Sequence, residues 1–243
     1  MDRKPFYDQM HGDGSLDYEK YLNTQELLGC QKDFSEFVNE DELMFQIVHQ
    51  SEELWMKLIG YTLLGIIDWM EQRNTHRVVT LFRRVHTIQL LMIDHLPVLE
   101  TMSPHEYQPI RLNLGNGSGQ ESPGFNNLLS LVNPLWDAYK ACYLDHYGRT
   151  IEQVYNSQYS HDDCYMVAEC LADYDELFQK FRYHHIQLIH RSIGLGAKSL
   201  KGRSVEMLNR GMAQKLFPEL WEIRNQMTDA WGGTYGVVRD SIH

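Results

Sequence analysis

An all-α protein is the fold class this sequence predicts, and three observations predict it. Apolar residues recur every three or four positions over stretches of roughly 27 to 33 residues, the signature of a helix with one buried face. Runs that alternate apolar and polar residues, as half-buried strands do, are scarce. Helix start and stop signals bracket the periodic stretches.

Taken in order, residues 1–14 are polar and Gly-containing and read as an irregular arm. Ser15 is placed to cap a short helix carrying Tyr18, Tyr21, Leu22 and Leu27–Leu28, which Gly29 ends. A long helix is expected from about Glu40 to Gln72, its buried stripe running through Phe45, Val48, Glu52, Trp55, Ile59, Leu63 and Ile66. Asn74 or Thr75 caps the next, which reaches about Thr101. In "SPHE", Ser103 as N-cap, Pro104 at the first helical position and Glu106 at the third form a capping box, opening a short helix with Tyr107 and Arg111. After the Gly/Ser-rich stretch "LGNGSGQESPG" (114–124) one helix is expected from about Pro123 to Tyr147. A second long helix runs from about Asp162 to Ile193 and stops at Gly194. A polar loop (195–204) and helices near 205–215 and 218–229 complete the chain. With no internal repeat and no linker-like segment, residues 1–243 read as a single helical-bundle domain.

The formal charge of −11 argues against nucleic acid as a partner, which needs a basic face to neutralise phosphates. No basic-then-apolar leader and no uncharged run of ~18 residues is present, so a cytoplasmic protein without a membrane span is expected. The four cysteines show no CxxC or CxxCH spacing and read as free thiols; the second absence excludes the usual covalent haem attachment.

Two histidines carry the chemical question. His49 borders the apolar stripe of the first long helix. On the second, Phe178, Phe181, His185, Leu188 and Ile189 share one face, whereas His184 and His190 point elsewhere at ~100° per residue. Two long helices that each bring a histidine to an apolar face can flank a haem pocket, with a neutral imidazole on the iron; hydrogen-bonded core histidines are the plain alternative. A di-iron carboxylate bundle wants two Glu-x-x-His pairs, and no glutamate here has a histidine three residues on. "GNGSG" lacks the ending and the upstream strand of a phosphate loop, and no GxSxG is present for a serine hydrolase. Arg111, one turn after Tyr107, sets a guanidinium fork beside a phenol, a pair suited to a substrate carboxylate or to a structural ion pair.

Five segments in order, "YEKYLNTQELL" (18–28), "DELMFQIVHQSEELWMKL" (41–58), "LETMSPHEYQPIR" (99–111), "FRYHHIQLIHRSIG" (181–194) and "LFPELWEIR" (216–224), resemble the conserved segments of the tryptophan 2,3-dioxygenase family. The likeness spans about Tyr18 to Arg224. It implies an all-helical protomer that binds haem b non-covalently and assembles as a homotetramer. By that resemblance His185 is the proximal iron ligand, His49 the distal histidine that meets the indole nitrogen, and Phe45 the aromatic packed on the indole. Tyr107 and Arg111 clamp the carboxylate, while Tyr18, Tyr21 and Leu22 lie on a helix that reaches a neighbouring subunit's pocket. The implied activity is oxygenation of L-tryptophan or a close analogue by O2, with N-formylkynurenine as the product of full dioxygenation. The alternatives are a haem monooxygenase of a substituted tryptophan or another aromatic amino acid, and a non-catalytic haem-binding protein. One segment departs from the family. Where it has "GTGGSSG" over the substrate, this chain has "AKSLKGR" (197–203): Ser199 keeps a hydroxyl, but Leu200 and Lys201 replace glycines that let backbone N–H groups come close.

Overall fold

A computed structural model describes residues 1, 3–115, 117–196, 214–231 and 241. Among them all regular structure is helical, as the periodicity predicts. Helix α1 (Lys4–His11) lies where an irregular arm is expected. Pro5 starts it, Gly12 at φ 69° stops it, and Tyr7 rests on Phe34 with ring centroids 4.3 Å apart. The single helix expected after Ser15 is two, α2 (Asp17–Leu22) and α3 (Thr24–Leu28), divided at Asn23, which is left-handed at φ 53°. Ser15 is not the cap. The Glu19 carboxylate accepts the Leu16 N–H at 3.0 Å instead. None of these three helices has a buried residue.

The long elements match expectation closely. Helix α4 (Glu42–Glu71) turns at left-handed Arg73 into α5 (Thr75–Leu99), where the Asn74 side chain accepts the Arg77 N–H at 3.2 Å. Helix α6 (Pro104–Asn113) starts with the expected capping box. A 3₁₀ turn (Gly119–Glu121) leads into α7 (Pro123–Ser130), α8 (Val132–Tyr139), a π-helical stretch (Lys140–Asp145) and α9 (Ile151–Tyr155). The periodicity predicts a single helix over 123–147. Pro134 explains the break, because it has no N–H to donate to Ser130 and its ring displaces that carbonyl. Asp162 caps α10 (Asp163–Ile193), and Gly194 at φ 86° ends it. Helix α11 (Pro218–Ala230) follows; the helix expected near 205–215 falls largely outside the described residues.

Helix α5 lies against both α4 and α10. Ile59, Leu63, Ile66 and Met70 of α4, Val78, Phe82 and Val85 of α5, and Val167, Leu171 and Tyr174 of α10 share one core and are essentially inaccessible to solvent. A smaller cluster of Val48, Leu96, Leu99 and Leu188 sits at the other end, and Phe181 packs against both. The three helices thus hold Val48–His49 and Phe181–His185 at the seam between two cores.

Asp175 clasps the C-terminal segment onto α10. Fully buried, its carboxylate accepts from the Leu216 N–H (3.0 Å), the Phe217 N–H (3.2 Å) and the Trp221 indole N–H (2.8 Å). Asp175→Ala leaves four donors without that acceptor, these three and the Gln179 side-chain amide, and is expected to cost ~3 kcal/mol in urea unfolding. Asp175→Asn, which keeps one oxygen in place, should lose less. Equal unfolding midpoints for Asp175→Ala and the wild type would contradict this account.

Candidate functional site

His49 lies one turn after Phe45 on α4, and its Nδ1 is 2.7 Å from the Phe45 carbonyl oxygen. A carbonyl only accepts, so Nδ1 carries the proton and Nε2 of the neutral ring keeps its lone pair. The ring is solvent-exposed, yet the surrounding protein depresses its basicity through desolvation, only partly offset by the Phe45 carbonyl and the Glu53 charge. Exposure together with desolvation marks the wall of a hollow.

His185 belongs to the same hollow. Burial drives its pKa down to about 4, and His49 adds to the shift, so the two rings are close enough to feel each other's charge. It is a neutral imidazole near pH 7. No hydrogen bond joins its nitrogens to another described residue. The Phe181 ring, one turn earlier, is nearly parallel to it at 6.3 Å. The Gly-rich loop also approaches the ring: a Cβ on Gly119 would sit 3.8 Å from His185 Cε1.

Glu53 fixes that loop. Its carboxylate accepts from the Ser122 hydroxyl and from the Gly124 N–H at 2.9 Å, at the start of α7. Gly124 must be glycine there, since a Cβ would fall 2.7 Å from the Met56 Cβ and from Glu53 Oε2. Neither the approach of Gly119 to His185 nor the anchoring role of Glu53 follows from helical periodicity. The signal available was "ESPG", a Ser-Pro helix start that needs an acceptor for its exposed N–H groups.

Phe45 stands 4.1 Å from the His49 ring and 6.1 Å from Tyr107, so α6 contributes to the same surface. Burial pushes the Tyr107 phenol up while the Arg111 charge pulls it back, which places Arg111 beside Tyr107. The structure therefore gathers Phe45, His49, Tyr107, Arg111 and His185. Tyr18, Tyr21 and Leu22 are not gathered: they are 70%, 90% and 45% exposed on α2. Ser199 lies outside the described residues.

A family model for tryptophan 2,3-dioxygenase matches residues 7–145, more than half of the chain. A tryptophan 2,3-dioxygenase of Myxococcus xanthus is 27% identical, covering 88% of this chain and 91% of its own length. That of Serratia proteamaculans is 26% identical over 87% and 93%, and that of Bacillus cereus 27% over 88% and 93%. The matched region carries the histidine of α4, the Tyr–Arg pair of α6 and the loop that meets His185, and on this match the chain belongs to the tryptophan 2,3-dioxygenase family.

Proposed function

We propose that this chain is a haem-dependent oxygenase that inserts both atoms of O2 across the indole C2–C3 bond of L-tryptophan, or a close analogue, giving N-formylkynurenine. The observation that carries the reading is a neutral His185 imidazole, without a hydrogen-bond partner among the described residues, beside a second neutral histidine whose free lone pair is on Nε2. Such an imidazole suits a non-covalent haem b, and His185 is the residue to hold the iron. Haem iron supplies O2 binding and one-electron chemistry when bound.

The chain's own groups do the rest. Phe45 stacks on the indole and His49 Nε2 accepts its N–H. Arg111 and Tyr107 take the carboxylate, and the loop from Gly119 to Gly124 closes the hollow against water. Held geometry supplies much of the rate. The exposed apolar residues of α2 are suited to a neighbouring copy, so the reading includes a homotetramer in which Tyr18, Tyr21 and Leu22 complete a neighbour's site. Residues 1–243 act as one functional unit, in the cytoplasm.

Turnover of tryptophan under ¹⁸O2, followed by mass spectrometry, tests the reaction. Two labelled oxygens in one ring-opened product are expected. A single label on an intact ring would make the protein a monooxygenase, and an O2-binding protein that leaves indoles unchanged would be non-catalytic.

His49→Ala is expected to keep its haem and to lose ~10- to 1000-fold in activity on tryptophan, the scale of a lost positioning hydrogen bond. The penalty should be small with 1-methyltryptophan, which has no N–H to donate. Equal penalties on both substrates would mean that the histidine acts through packing, and a haem-free variant would assign His49 to the iron.

A further inference from the structure

Glu52 is a carboxylate in the wrong place. It lies on α4 between Val48 and Met56, is 7% exposed, and neither of its side-chain oxygens has a hydrogen-bond partner among the described residues. Val48 and Met56 belong to the two core clusters that Phe181 joins, so Glu52 sits in the seam behind Phe181 and one turn from His49. His95 of α5 faces it, with Nδ1 3.3 Å from Oε1. The His95 side chain is 32% exposed and so reaches water.

An ionised carboxylate is costly where nothing donates to it. Burial first, and the negative charge of Glu53 second, push the Glu52 carboxyl up to about 8. His95 at 3.3 Å lacks hydrogen-bond geometry and does not reverse this. The titratable groups that face the carboxyl are Glu53 on α4, whose charge acts on it, and His95 on α5, while the α10 residue packed into the seam is the apolar Phe181. A protonated carboxyl gains an O–H donor, and the acceptor facing it is His95 Nδ1.

We propose that Glu52 and His95 form a proton-storing pair in the wall of the histidine hollow, and that emptying the store places a negative charge beside the site and lowers its activity. The second half rests on the oxygenase reading. In each exchange the Glu52 O–H bond breaks and an N–H bond forms on His95 Nδ1 as Nε2–H releases its proton to water. On the return, water protonates Nε2, the ring flips and delivers that new proton to Glu52 while the first stays on Nδ1, so the carboxyl proton is exchanged and no oxidant or reductant takes part.

Infrared difference spectroscopy of the purified protein in H2O and D2O tests the pair directly. The wild type should show a protonated carboxylic-acid C=O band at pH 7 that vanishes as pH rises through about 8, and Glu52→Gln should lack it. His95→Phe should slow deuterium exchange of that band by at least ~10-fold, since the exchange route runs through the imidazole. Absence of the band at pH 7, or unchanged exchange in His95→Phe, overturns the pair.

Stability gives a second measurement that needs no variant. The native carboxyl holds its proton above the ordinary carboxylate range, so wild-type stability should fall as pH rises from that range to about 8; a flat profile there would count against the pair. For the link to function, the alkaline limb of kcat should disappear in Glu52→Gln, and its persistence overturns that link. None of the infrared arms needs haem. A haem-free protein that still shows the band would sink the oxygenase reading and leave the pair standing.

Discussion

His185→Ala is expected to purify without haem. The residue stands on the α10 face defined by Phe181 and Leu188, and among its neighbours in sequence His184 is exposed and His190 is turned away from that face. No other imidazole on α10 can substitute. His49 keeps a free Nε2 lone pair, but it stands on α4 and not on the α10 face from which His185 would hold the iron. Because no hydrogen bond ties the His185 ring to another described residue, its removal should leave α10 intact, and the far-ultraviolet circular dichroism should not change. Apolar contacts around the ring survive the truncation, so added imidazole has a hollow to occupy and should restore part of the haem absorbance. Haem content and a ferrous spectrum equal to the wild type's would refute the assignment. Haem loss with no recovery in imidazole, together with lost helicity, would instead make His185 a packing residue.

Helix positions were legible because two independent signals agree on them. Apolar periodicity gives the face, and local chemistry gives the ends: Asn74, the Ser103–Glu106 box, Asp162 and Gly194 all act where the sequence places them. The failures are local as well. Pro134 sits inside an otherwise convincing periodic run; it belongs to α8 but has no N–H to carry the ladder back to Ser130, a break that apolar spacing does not register. Asn23 divides a six-residue helix from a five-residue one, a length at which periodicity carries little information.

The site was legible in part. Phe45 and His49, and Tyr107 and Arg111, are one turn apart, so their mutual approach is a property of a single helix. That α6 brings the second pair to the first, and that α10 brings His185 to His49, depends on how α4, α5, α6 and α10 pack, which periodicity does not encode. The resemblance supplied that juxtaposition and composition did not. Glu52 shows the limit most plainly. Its spacing put it on the buried stripe, but its lack of hydrogen-bond partners and its approach to His95 are tertiary facts.

Arg111 carries the other large expected effect. It lies beside Tyr107 on α6, close enough for its charge to act on the phenol, and the Phe45 ring borders the same surface. A substrate carboxylate placed there meets a planar two-donor fork, which a lysine cannot reproduce. Arg111→Leu should therefore raise the KM for tryptophan strongly, by ~2–5 kcal/mol of binding free energy if the carboxylate loses its buried partner, with haem content unchanged. Arg111→Lys should recover part of the loss through charge alone. Tryptamine, which has the indole and the amine but no carboxylate, separates the roles: it should be a poor substrate for the wild type and no worse for Arg111→Leu. If tryptamine turnover falls as far as tryptophan turnover, Arg111 shapes the pocket without reading the carboxylate. Unchanged kinetics with both substrates would leave it a structural ion-pair member of α6.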